Sequence, residues 1–163
     1  MTNEIKLAFS HPVERSSTNL SDIELDRISL RDHILEVEIG AFQSERGITQ
    51  RICFNVVVEV KPVHKVIDDD VDKILSYDKV TEAISDEVYS ERVNLLETLA
   101  ERIADRILIE PQAHRAFVRI EKLDRGPGAL GVEIVRTERD HNSAILSSLG
   151  IDELSLRPHV VYL

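Results

Sequence analysis

Glu97 and Lys122 are the two side chains whose positions point most directly to chemistry. Glu97 lies in Asn94-Leu95-Leu96-Glu97-Thr98-Leu99-Ala100-Glu101, the opening of a helix whose apolar stripe runs Leu96, Leu99, Ala100, Ile103, Ile107. A carboxylate in the first turn beside that stripe suits a flat, cationic or amidine-like edge. The same residues also fit a purely structural role. Asn94 with Glu97 three residues on has capping-box spacing, and the helix dipole favours an acid there. Counting back by two from Lys122 gives Ile120, Val118 and Ala116, so the lysine leaves from the apolar face of a strand. Such a lysine either snorkels to the rim or works as a partly desolvated acid/base.

Other positions carry weaker signals. Tyr77 follows Leu75 and Ser76 at a helix entrance, and Glu45 and Gln50 lie in a hairpin connection. Gly126, Gly128 and Gly131 permit a tight turn and close ligand approach, but not at phosphate-loop spacing. Six histidines show no pair at ligand spacing, and one cysteine anchors no recognised zinc motif. Asp68-Asp69-Asp70 points in divergent directions and reads as a solvated acidic loop. No nucleophile-elbow pattern occurs. The expectation is chemistry without metal or cofactor.

The 163 residues fit one domain with a normal core. A net charge of −10 argues against nucleic acid, which demands clustered Lys and Arg. No apolar run approaches a membrane span, and the N-terminus lacks a signal-peptide core. The single cysteine, Cys53, reads as a buried thiol of a cytoplasmic protein.

The elements that position these residues follow from periodicity. Residues 1–25 read as a flexible or loosely docked arm. From Asp26 the pattern tightens, and Leu35, Val37 and Ile39 alternate with Glu36 and Glu38 as a strand. Ile52, Phe54, Val56, Val58 and Val60 mark a second strand, antiparallel to the first. A loop over 61–76 leads to a helix from about Tyr77 to Glu91, and the helix of Glu97 follows until Pro111. Strands over Ala116–Lys122 and Val132–Val135 complete β-β-α-α-β-β. That order predicts an α+β fold: one antiparallel four-stranded sheet with both helices on one face. Residues 137–163 form a tail with an apolar cluster of Ile145, Leu146, Leu149 and Ile151. Two sheet edges and a second, partly apolar face predict a homo-oligomer.

From Asp26 to Arg136 these segments resemble the dihydroneopterin aldolase family, of the tunnelling fold, with the dihydroneopterin triphosphate epimerases as sister group. The resemblance is carried by Ile39-Gly40-Ala41 with Glu45 and Gln50; Asp69-Asp70-Val71 with Leu75-Ser76-Tyr77; Asn94-Leu95-Leu96-Glu97 through Ala104; Val118-Arg119-Ile120 with Lys122; and Gly131 to Arg136. It implies a barrel-like ring, a tetramer or octamer, with active sites at subunit interfaces. It also implies a pterin substrate, cleaved to 6-hydroxymethyl-7,8-dihydropterin and glycolaldehyde in folate biosynthesis. On this basis Glu97 grips the 2-amino and N3 edge of the pterin, and the backbone at Leu96 orients the ring. Lys122 transfers protons, Tyr77 arrives from the adjacent subunit, and Leu75 and Ser76 bind substrate. Glu45 and Ala41 lie by the substrate's side-chain hydroxyls, and Gln50 supports them. Family members often carry Pro soon after the lysine, whereas Leu123-Asp124-Arg125 stands here and borders the pocket.

Overall fold

The structure is a computed structural model that describes residues 2–10, 25–63 and 66–150. The long strands come first in the argument because they carry the site. β1 (Asp26–Val37), β2 (Gln50–Val60), β3 (Ala113–Lys122) and β4 (Leu130–Thr137) form one antiparallel sheet in the order β1-β2-β3-β4. Two helices intervene between β2 and β3: α2 (Asp78–Ser90) and α3 (Leu96–Leu108). The predicted β-β-α-α-β-β order is therefore the observed one.

Period two decides which face of the sheet is covered. Ile52, Phe54, Val56 and Val58 of β2 point to one side and are fully buried there. They meet Val80 and Ile84 of α2 and Leu99, Ile103 and Ile107 of α3. Each such side chain contributes about 1.5–3 kcal/mol when fully removed from water. α3 is the stronger amphipathic helix, burying seven of its thirteen residues on one stripe, so it lies centrally over β3 and β4.

β1 is longer than its alternation suggests. Ile28 and Leu30 pair with Val58 and Val56, but His33, Leu35 and Val37 pair with Phe54, Ile52 and Gln50. A bulge between Leu30 and His33 switches the inward phase from even to odd numbers. Asp32 takes φ 51° at the bulge, and its N–H donates to Asn55 Oδ1 at 3.0 Å. A phase switch within one strand conceals the first half of it from a search for alternation.

Two flanking helices lie in stretches that periodicity left without elements. α1 (Thr2–Phe9) falls within the stretch read as an arm. It places Ala8 against Val57 and Phe117 on the second face of the sheet, and the Arg119 guanidinium lies 4.2 Å from the centre of the Phe9 ring. That face, read from the sequence as partly apolar, is partly covered within the protomer. An eight-residue helix is marginal alone, so packing rather than propensity holds it. α4 (Glu138–Ser148) begins with a capping box. Thr137 Oγ1 accepts from the Asp140 N–H at 3.3 Å, and Asp140 Oδ2 accepts from the Thr137 N–H at 2.9 Å. Ile151 of the predicted tail cluster lies outside the described residues. Among the described residues no helix is long and apolar enough to cross a membrane. Cys53 is buried at 6% exposure.

Candidate active site

The site is built where β1 leaves the sheet, β3 ends and α3 begins. After Val37 the chain passes Gly40 and makes a single 3-10 turn, Gln43–Glu45, that drives the Glu45 carboxylate inward. Glu45 is 4% exposed. Its Oε2 accepts from the Phe42 N–H at 3.1 Å, and its Oε1 accepts from Lys122 Nζ at 2.7 Å and Gln50 Nε2 at 3.4 Å. Gln50 also donates to the Ile39 carbonyl at 2.5 Å. Lys122 is opposite Ile52 in the β2–β3 ladder, which fixes its departure from the buried face. It does not simply snorkel to water, because its ammonium meets a buried carboxylate.

The hydrogen bond from Lys122 is the largest influence on Glu45. Burial opposes it, and the Phe42 and Gln50 donors add to it, so the carboxyl falls from 4.5 to about 2. A carboxyl depressed on folding stabilises the native state above its unfolded value. That contribution is lost as pH falls from 4.5 through about 2. An acid titration of the urea midpoint should therefore show a component in this window that Glu45→Gln lacks. Identical acid limbs in the two proteins would contradict the assignment.

Gly40 makes the turn possible. Its φ is +142°, and a Cβ there would stand 2.0 Å from Glu45 Oε2. Gly40→Ala should cost roughly 1–3 kcal/mol from backbone strain and expel the carboxylate from Lys122. A urea midpoint unchanged from wild type would refute this. Gly131 has a comparable steric role on the opposite wall: a Cβ would stand 1.9 Å from the Ile120 carbonyl oxygen, so only glycine lets β4 close on β3 beside Lys122.

Glu97 sits in the first turn of α3 and is exposed. The capping-box alternative is not realised. The helix is entered through Leu95, with no side-chain cap, and Asn94 Oδ1 instead accepts from Arg92 Nη1 at 2.7 Å. Arg92 also donates to Glu38 Oε1 at 2.9 Å and to the Gly40 carbonyl at 2.7 Å. One guanidinium thus ties the Gly40 turn to the entrance of α3. This leaves the Glu97 carboxylate to face the cleft.

Ala41, Glu45, Leu96, Glu97 and Lys122 line a single open cleft of about 270 Å³, together with Phe42, Asn94, Leu95, Leu130, Gly131 and Val132. Acid and ammonium therefore open onto one space within one protomer. Phe42, Leu95 and Leu130 are at least half exposed and give it an apolar wall suited to a flat ring. Phe42, Leu130 and Val132 were not singled out from sequence, nor was Arg92. Exposure of a large apolar side chain marks Phe42 and Leu130, whereas Val132 and Arg92 have no signal of their own.

Leu75, Ser76 and Tyr77 are elsewhere. Leu75 and Tyr77 line a different cleft, of about 250 Å³, shared with Val60 and Gln112. Eight residues of β2 separate Ile52, beside Lys122, from Val60, or roughly 27 Å at strand rise. The Ser76 hydroxyl accepts from the Asp78 N–H at 3.2 Å, just before α2. Tyr77 itself is 72% exposed. Asp68 and Asp69 adopt φ near +50°, and Asp70 Oδ1 accepts from the Asp72 N–H at 3.1 Å, so the acidic run forms a turn. Among the described residues no group of three or more His, Cys, Asp or Glu side chains could hold a metal ion.

Comparison with known proteins bears on this geometry. The family model for dihydroneopterin aldolase (FolB) matches residues 28–135. A dihydroneopterin aldolase of Streptomyces coelicolor is 34% identical over 100 residues, spanning 61% of this chain and 84% of the relative. The crystal structure of a Burkholderia thailandensis dihydroneopterin aldolase bound to guanine is 30% identical. It superposes with a TM-score of 0.62 over 69% of this chain and 90% of its own. An Escherichia coli dihydroneopterin aldolase in complex with neopterin, 24% identical, has the same fold. Its TM-score is 0.61 over 69% of this chain and 99% of its own. With a match that spans β1 to β4 and takes in the whole cleft, the chain belongs to the dihydroneopterin aldolase family.

Proposed function

We propose that the cleft between Glu97 and Lys122 binds a dihydropterin and cleaves its side chain by metal-free acid/base catalysis. The chain is a dihydroneopterin aldolase, a lyase of folate biosynthesis. The observation that carries the mechanistic reading is the convergence of Glu97 and Lys122, from a helix and a strand, on one cleft. The relatives' ligands, neopterin and guanine, share a 2-amino group beside a ring N–H (N3–H in the pterin, N1–H in guanine), an edge of the kind a carboxylate takes by two parallel hydrogen bonds.

In the retro-aldol step the 2′-hydroxyl loses its proton and becomes the carbonyl of glycolaldehyde. The C1′–C2′ bond breaks, and its electron pair passes into the ring's N5=C6 imine. The enamine so formed takes a proton at C1′, giving 6-hydroxymethyl-7,8-dihydropterin. One proton leaves and one returns, so no electrons are gained or lost overall. Lys122 is placed to handle both transfers, with Tyr77 and a water as relay partners and Glu45 orienting the ammonium and the side-chain hydroxyls. Leu96 and Ala41 flank the ring.

The cleft is open rather than enclosed. This supports a further wall from a second subunit of a cytoplasmic homo-oligomer, a tetramer or octamer, with the partner subunit's Tyr77, Ser76 and Leu75 completing the site. Residues 26–136 carry the catalysis in this reading, with 1–25 and 137–163 peripheral to it. Product analysis on 7,8-dihydroneopterin tests it: glycolaldehyde should appear one-for-one with the shortened pterin. Conversion to the 2′-epimer with no fragment released would overturn the aldolase reading.

A further inference from the structure

Arg92 does not line the cleft, yet it joins the cleft's two walls. One wall is the connection after β1, with Ala41, Phe42 and Glu45; the other is the entrance of α3, from Asn94 to Glu97. The two walls are held differently. Leu96, Leu99 and Ala100 seat α3 on the sheet and are all buried, so apolar packing places Glu97. Between Ala41 and Thr49, by contrast, Glu45 is the one buried residue. That connection has no apolar anchor of its own, and polar contacts must hold it.

The Arg92 guanidinium donates to three acceptors at once: Glu38 Oε1 at 2.9 Å, the Gly40 carbonyl at 2.7 Å and Asn94 Oδ1 at 2.7 Å. Glu38 Oε1 also accepts from the Gly47 N–H at 2.9 Å. The connection is thereby closed on itself and fastened, through Arg92, to the chain just before α3. The Arg92 side chain is 25% exposed, so water competes for these acceptors in part. A lysine would bring the charge without the rigid fork that reaches three separate groups.

We infer that Arg92 is a positioning residue for the reaction: it fixes the connection that carries Glu45 against the α3 entrance, and so keeps the Lys122 ammonium aligned with the substrate's side chain. The inference rests on the roles given to Glu45, Lys122 and Glu97 under Proposed function. Arg92 makes these hydrogen bonds away from Glu45, so it acts through the turn. A misplacement on the order of 1 Å can cost about 10²-fold in rate, and the Gln50 and Lys122 contacts to Glu45 moderate that loss. Ring affinity depends on Glu97, which the packing of α3 holds in place without Arg92.

The test uses the full chain and its Arg92→Ala and Arg92→Lys variants. In Arg92→Ala, kcat for glycolaldehyde release should fall about 10-fold. The neopterin Kd from calorimetry should stay within about three-fold of wild type, and the binding stoichiometry corrects for any unfolded fraction. Arg92→Lys should restore part of the rate. In a Glu45→Gln background, Arg92→Ala should lower kcat by less than about two-fold more, because the two residues act in one chain of contacts. An unchanged kcat, a Kd that weakens as much as kcat falls, or full additivity with Glu45→Gln overturns the inference. A second readout needs no turnover. In a carbon-13 NMR titration the Glu45 carboxyl, held at about 2 in the wild type, should move up towards the ordinary range in Arg92→Ala; an unmoved titration also overturns the inference. Were wild type to release no glycolaldehyde, the aldolase reading would fail while the titration still decided whether Arg92 places Glu45, so the two failures are separable.

Discussion

Lys122→Ala should lower kcat for glycolaldehyde release by about 10²–10⁴-fold, the range that a positioned acid/base contributes, while pterin affinity stays within a few-fold. The reasoning follows from placement. The Lys122 side chain is 16% exposed and its Nζ is bonded to Glu45, and it enters the cleft from a different element than the group assigned to ring recognition. Removing it also strands a buried carboxylate, which destabilises by as much as about 3 kcal/mol, moderated by the Phe42, Gln50 and Arg125 contacts that remain. Stability and chemistry must therefore be separated. The double variant Lys122→Ala/Glu45→Gln removes the orphaned charge, so its urea midpoint should recover while its activity does not. Turnover within a few-fold of wild type in either protein would remove Lys122 from the mechanism.

Glu97→Ala should weaken neopterin binding by about 10²-fold, the loss of two charge-assisted hydrogen bonds partly offset by water. This side chain is a clean target. Glu97 is exposed and supplies no cap to α3, so its removal costs the fold only about 0.3–1 kcal/mol of helix-dipole interaction. Binding measured by calorimetry should fall with the thermal midpoint nearly unchanged. Glu97→Gln should fall between the two, because the amide retains one acceptor but repels the second donor. An affinity equal to that of wild type would mean that Glu97 does not anchor the ring.

These two residues were legible in the sequence for reasons that are themselves physical. Lys122 ends a run of alternating apolar residues, so parity alone places it on the covered face; Glu97 flanks a helical stripe that α3 buries as written. β2 and β3 declare themselves because Ile52, Phe54, Val56 and Val58, and Ala116, Val118 and Ile120, keep one apolar parity along each strand. β1 does not, because the Asp32 bulge reverses its parity midway. The Arg92 clamp joins Glu38, Gly40 and Asn94 across more than fifty residues, and a long polar side chain leaves no periodic trace. Asn94 shows the converse hazard: its spacing to Glu97 matches a cap, yet the competing guanidinium takes its oxygen. Tyr77 marks the boundary of what one protomer can explain, since it lies at the other end of the sheet from Lys122.

A crystal structure of the protein soaked with neopterin tests the central claim most directly. The account predicts the 2-amino and N3 groups of the ring on the Glu97 carboxylate, the side-chain hydroxyls within hydrogen-bond reach of Lys122 Nζ, and the partner subunit's Tyr77 closing the cleft. A ring bound so that Glu97 and Lys122 do not both touch it would contradict the account.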